Sequence, residues 1–80
     1  MKIRVFVSLK EGVLDPQGKA IGHALDTLGF KGLGEVRVSR VVDLDVPATD
    51  KATALEQGAA MARALLANEV IEDFSVEVAA

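Results

Sequence analysis

The sequence predicts an α+β domain: a two-layer sandwich with two helices on one face of an antiparallel sheet, in the order strand, helix, long strand, helix, strand. Three observations carry this. Apolar residues alternate at positions 3–9, 35–46 and 74–78, the period of a half-buried strand. Between these runs lie two segments whose apolar residues recur every three or four positions, one opened by Asp15-Pro16 and the other by residues 47–50, which is the punctuation of a helix start. The chain has only 80 residues, enough for one domain with a single shared core.

In the first strand Ile3, Val5, Val7 and Leu9 form one face, and Lys2, Arg4, Phe6 and Ser8 the other. Phe6 is the anomaly, an aromatic ring on an otherwise polar face. The loop LKEGVLDPQG (9–18) follows. Asp15 suits the N-cap, and Pro16 suits the first helical position, where its missing N–H costs nothing. Ala20, Ile21, Ala24, Leu25 and Leu28 make one helical stripe, which Gly29 and Phe30 close as a C-cap with its hydrophobic contact.

After KGLG, the run EVRVSRVVDLDV (35–46) places Val36, Val38, Val42, Leu44 and Val46 on one face, with Arg40 the exception among them; Val41 lies on the other face with Asp43 and Asp45. No turn signal interrupts the run, so a single long strand is expected, part of whose edge outruns its neighbours. Pro47 ends it, and Thr49 or Asp50 caps the second helix. That helix carries two apolar stripes: Ala52, Leu55, Ala59, Ala62 and Leu66, then Ala54, Gly58, Met61 and Leu65. Asn68 is the expected left-handed cap before the last strand of Phe74, Val76 and Val78. This order, with helices on one face of an antiparallel sheet, is a ferredoxin-like variant in which the long middle strand stands in for a pair.

Composition narrows the function. Hydrophobic residues are 50% of the chain, mostly Ala and Val, with three aromatics. Such a core is thin, and oligomerisation is a common source of extra stability at this size. Phe6 and Val41 on the outer sheet face, together with the surplus strand edge, predict a homodimer or a dimer of dimers. The absence of cysteine excludes disulfides, thiolate zinc sites and a nucleophilic thiol. It favours a reducing cytoplasm for so small a domain. No window has the length of a membrane span, and MKIRVFVSL contains no apolar run of signal-peptide length. The net charge of −3, with scattered Lys and Arg, argues against nucleic-acid binding.

Catalytic chemistry finds little material. His23 is the only histidine, and its helical angle turns it to solvent. Asp43 and Asp45 read as a solvated strand face, because hard cations recruit several oxygen ligands. Gly12 and Gly18 flank a loop without the spacing of a phosphate cradle. Other polar residues have no local explanation. Lys10 ends the first strand without an obvious acid, Gln17 sits in a helical first turn that would favour an acid, and Glu72-Asp73 follows a helix C-terminus that disfavours acids. These point to docking.

LKEGVLDPQGKAI and LLANEVIEDF together resemble the PurS-type small subunit of phosphoribosylformylglycinamidine (FGAM) synthase, over essentially the whole chain as a single domain, 1–80. The matching positions are Lys10, Val13, Asp15, Pro16, Gln17 and Gly18, then Leu65, Leu66, Asn68, Val70, Ile71, Glu72 and Asp73. Two departures stand out: Ser39-Arg40 where Gly-Lys is usual, and Phe74 where Tyr is usual.

The resemblance implies an accessory subunit of a glutamine amidotransferase in de novo purine synthesis. It would join a glutaminase subunit to a large synthetase subunit and support ammonia transfer between them. It implies no catalytic residue, cofactor or metal in this chain, with ATP and Mg used by the synthetase. Lys10, Asp15, Gln17, Asn68, Glu72 and Asp73 are the candidate partner contacts, and Phe6 and Val41 the candidates for self-association. Two other readings compete. An acylphosphatase-like enzyme would want an arginine in the first loop, and residues 10–15 contain none. A small-molecule-sensing regulatory domain is compatible with Gly12 and Gly18.

Overall fold

The computed structural model describes residues 1–79. Strand β1 (Lys2–Leu9) lies at the centre of a three-stranded antiparallel sheet, between β2 (Arg40–Asp45) and β3 (Glu72–Val78). Helices α1 (Pro16–Thr27) and α2 (Lys51–Met61) complete the expected order. In the register, Val5 stands opposite Val42 on one side and Val76 on the other, so the alternating valines of all three strands share one face. There Ile3, Val5 and Val7 are the largest fully buried side chains. A central strand is flanked on both edges and needs a cover only on its apolar face, and α2 supplies it.

That cover sits close. Along α2 and the residue that follows it the buried line is Ala54, Gly58 and Ala62, spaced by four, which keeps one side of the helix against the sheet. A β-carbon on Gly58 would lie 2.6 Å from Ile3 Cδ1 and 2.7 Å from Val76 Cγ1, so glycine sets the layer spacing. The buried line combines members of both expected stripes. Met61 and Leu65 remain exposed, at 39% and 85%, as does Ala52.

The helix ends follow their local chemistry. Asp15 accepts from Gly18 N–H with Pro16 behind it, and Asp50 accepts from Thr53 N–H. Gly29, at φ 101°, ends α1: Phe30 N–H bonds the Leu25 carbonyl and Gly29 N–H that of Asp26, each at 3.0 Å. This is the Schellman arrangement. The end of α2 corrects the expectation for Asn68. No residue other than glycine has a positive φ among the described residues. Instead α2 runs into a π-helical turn, Ala62–Leu66, closed by Ala67 N–H on the Ala62 carbonyl at 2.9 Å. Asn68 then builds a turn, its carbonyl accepting from Ile71 and Glu72 N–H and its side chain from Val70 N–H.

Two expectations about the middle of the chain are revised. The run 35–46 contains no hairpin, but only its second half pairs with β1; the register ends at Val7 opposite Arg40. Residues 35–39 outrun the ladder because the first loop satisfies them instead. Val38 N–H donates to Asp15 Oδ2 at 2.7 Å, and the Arg37 guanidinium donates to the carbonyls of Val13 and Lys10 at 2.8 and 3.1 Å. The α1 stripe does not meet the sheet of its own chain. Ile21 is 40% and Leu28 74% exposed, Ala20 and Ala24 are exposed and Leu25 is half-buried. The helix is held at its start, where Gly18 and Gly22 let it lie against Val36.

Candidate docking interface

The six residues singled out for partner contact gather at one end of the sheet, where β1 ends, β3 begins and α1 starts. Lys10 carries the β1–β3 pairing one step past the strand through its N–H on the Ile71 carbonyl at 2.8 Å. Its Nζ lies 2.9 Å from Asp73 Oδ1, so the acid that the sequence did not make obvious is the second residue of β3. Both side chains stay substantially exposed, and a pair of this kind is worth little to stability.

Asp15 has less freedom. Its oxygens accept from Gly18 N–H at 2.8 Å and Val38 N–H at 2.7 Å, which ties the start of α1 to the segment leading into β2. These two bonds, Val38 first, hold its carboxyl below the ordinary carboxylate value against the opposing effect of burial. A side chain at Gly18 would collide with the Val36 carbonyl, so glycine permits this close approach.

Glu72 is buried. Its two oxygens accept from Arg40 Nη1 and Nη2 at 2.8 and 2.9 Å, a fork-to-fork pair. Asn68 N–H adds a bond to Oε1 at 2.8 Å. The guanidinium and that N–H pull the Glu72 carboxyl below its usual value. Arg40, the exception on the apolar face, is thereby explained: Glu72 occupies the corresponding inward position at the start of β3. As a consequence Glu72 presents no free carboxylate to a partner, and any part it takes in docking is indirect.

Gln17 is exposed and lines a cleft of about 240 Å³ together with Asp15, Ser39, Arg40 and Glu72. Asn68, whose N–H bonds Glu72 of that cleft, is exposed in the turn before β3. This turn carries two apolar residues beyond the six candidates, Val70 at 83% and Ile71 at 40% exposure. An apolar tip flanked by polar groups matches the anatomy of a protein interface. Its signal was present in the chain, since Val70 and Ile71 precede β3 outside any alternating run.

On the opposite face of the sheet, Phe6 stands across from Val41 and Ser75. Val41 is 51% exposed and Phe6 half-buried. Asp43, one of the two acids beside them, is paired with Arg4 at 2.7 Å, and no group of three or more metal-ligating side chains occurs among the described residues. His23 is exposed on a groove of about 480 Å³ between α1 and residues 34–37, in which Gly12, Gly18, Gly22 and Gly34 leave room.

Comparison with known proteins agrees with this architecture. The family model PurS, described as phosphoribosylformylglycinamidine (FGAM) synthase, matches residues 2–80. The PurS subunits of phosphoribosylformylglycinamidine synthase from Synechocystis and Bacillus subtilis are each 42% identical over 77 residues; these cover 96% of this chain and 77% and 90% of theirs. The crystal structure of Methanocaldococcus jannaschii PurS superposes with a TM-score of 0.86 at 36% identity, covering 95% of this chain and 92% of that one. The Bacillus subtilis PurS structure does so with a TM-score of 0.85 at 40% identity, covering 99% and 98%. With a match along nearly its whole length in both sequence and fold, the chain belongs to the PurS family of FGAM synthase subunits.

Proposed function

We propose that this chain is the PurS subunit of FGAM synthase in purine biosynthesis, a non-catalytic part that docks a glutaminase subunit and a large ATP-dependent synthetase subunit and supports ammonia transfer between them. The observation that carries the reading is the gathered end of the sheet. Lys10, Gln17, Asn68 and Asp73 are exposed there beside the apolar tip of Val70 and Ile71. ATP and Mg belong to the synthetase in this scheme, and the assembly works in the cytoplasm. No described helix is long and apolar enough to cross a membrane. The sensor alternative rests on the α1 groove alone and is not favoured by the family match.

The same reading includes self-association as a homodimer or a dimer of dimers. Phe6 and Val41 form one candidate contact. The uncovered stripe of α1, continued by Phe30 and Leu33 at 60% and 52% exposure, supports it, since a chain of this size gains stability by burying such surface.

Reconstitution tests the proposal. The purified chain alone neither hydrolyses glutamine nor turns over ATP. Added to the other two subunits it restores glutamine-dependent synthesis of formylglycinamidine ribonucleotide, while ammonia-dependent synthesis needs it much less. Full glutamine-dependent activity without this chain sinks the reading.

A further inference from the structure

The Arg40–Glu72 pair at the docking end has a buried carboxylate and a half-exposed guanidinium, and it reaches three separate parts of the chain. Arg40 opens β2 and Glu72 opens β3. Besides its two bonds to the carboxylate, Arg40 Nη2 donates to the Leu66 carbonyl at 2.7 Å, the last residue of the π-helical turn. Glu72 Oε1 takes the Asn68 N–H as well. A π-turn leaves carbonyls at its end without helical partners, and one of these is the Leu66 oxygen that Arg40 holds. The two side chains therefore grip the turn 67–71 at both its ends, where Leu66 leads in and Glu72 leads out. That turn carries Asn68 and the exposed Val70 and Ile71, and its exit is followed at once by Asp73 of the Lys10 pair.

We infer that the Arg40–Glu72 pair is a latch that fixes the shape of the 67–71 turn, which makes Arg40 a positioning residue for subunit docking. The inference rests on the docking reading above and extends it to a residue that itself need not touch the partner. Its physical basis is preorganisation: a turn held in one conformation loses less freedom on association than one that must be ordered then. The geometry suits arginine, whose planar fork meets both carboxylate oxygens while a nitrogen still reaches a third acceptor. Lysine offers a single point of donation in place of that fork.

The test separates the latch from the general stability of the fold. Removing Arg40 alone strands a buried carboxylate and threatens folding, so the main variant is the pair Arg40→Met with Glu72→Leu, which takes both charges away together. Arg40→Lys serves as the conservative partner. Hydrogen exchange, measured on the chain without partners, reads the latch: amides of 67–72 exchange at least about tenfold faster in the double variant, with β1 amides such as Val5 unchanged. Titration of a fixed mixture of the glutaminase and synthetase subunits, at a temperature where each variant is folded, reads docking. Affinity falls about tenfold in the double variant and partly recovers in Arg40→Lys.

Unchanged turn exchange overturns the latch. Faster exchange with unchanged affinity overturns the positioning role and leaves the pair a stability element only. Wild-type chain that binds neither subunit overturns the docking reading itself, and the positioning role with it.

Discussion

Replacing Gly58 by alanine sets two calculable effects against each other. The helix gains, because alanine is about 1 kcal/mol better than glycine in a helix interior. The interface loses, because the new methyl would sit 2.6 Å from Ile3 Cδ1 and 2.7 Å from Val76 Cγ1, short of the carbon–carbon optimum by about 1 Å. Ile3 is fully buried and has no solvent to swing into, so α2 must lift or side chains must leave their rotamers. Overpacking of this kind costs typically about 1–3 kcal/mol. Packing therefore cancels or outweighs the gain, with a net loss of up to about 2 kcal/mol, or a melting temperature lower by up to roughly 16 °C for a domain of this length.

Urea unfolding at one fixed protein concentration measures it, since self-association shifts apparent stability. Ile3→Val supplies the control. It removes the offending Cδ1, costs about 1 kcal/mol alone, and in the double variant recovers part of the Gly58→Ala loss, so the two changes are less than additive. A Gly58→Ala chain more stable than wild type by the full helix-propensity gain would refute the claim that glycine sets the layer spacing.

The other predictions concern charge and docking. The carboxyls of Asp15, Asp50 and Glu72 are all held below their ordinary values by bonds present only in the folded chain. Their stabilisation is therefore complete above the unfolded values of about 3.8 for Asp and 4.5 for Glu, and fades as pH falls through them toward the lowered folded values. Asp15→Asn keeps a capping oxygen but no titrating group, and should reduce the steepness of the loss of urea midpoint between about pH 5 and pH 3; an unaltered slope would show that Asp15 is not the group responsible. Val41→Glu puts a third acid beside Asp43 and Asp45 on the outer face and should weaken the homo-oligomer, which light scattering at micromolar concentration reads directly. A wild-type monomer under those conditions would contradict the self-association reading. Lys10→Ala and Gln17→Ala should change stability by less than about 1 kcal/mol, because Gln17 is exposed and the Lys10 pair with Asp73 is a surface ion pair, yet lower affinity for the glutaminase or synthetase subunit in calorimetric titration. Unchanged affinity in both would reduce the first loop to a helix start.

Local chemistry was legible in the sequence because it spans few residues. The N-caps Asp15 and Asp50, the Gly29–Phe30 helix stop and the alternating faces of β1 and β3 each depend on neighbours within five positions. Any fold containing those segments would reuse them, and so the order of elements followed. Lys10, Gln17, Glu72 and Asp73 could be named on the same grounds, as polar groups without a local explanation, whereas Asp15 and Asn68 had one as helix caps.

Tertiary structure alone decided which of them meet. Lys10 finds Asp73 63 positions away and Arg40 finds Glu72 32 positions away, and no periodicity encodes such a pairing. It depends on the strand order β2-β1-β3 and on a register that brings the starts of β2 and β3 to the same end of β1. The length of β2 was decided the same way, since Val38 had two possible partners and the Asp15 carboxylate took its N–H in place of a ladder. Whether an apolar stripe becomes core is likewise a property of what lies opposite. The stripe of α1 and the buried line of α2 are both apolar faces of helices, and only α2 has a sheet against it, because burial is a relation between two surfaces and one segment of sequence specifies only one of them.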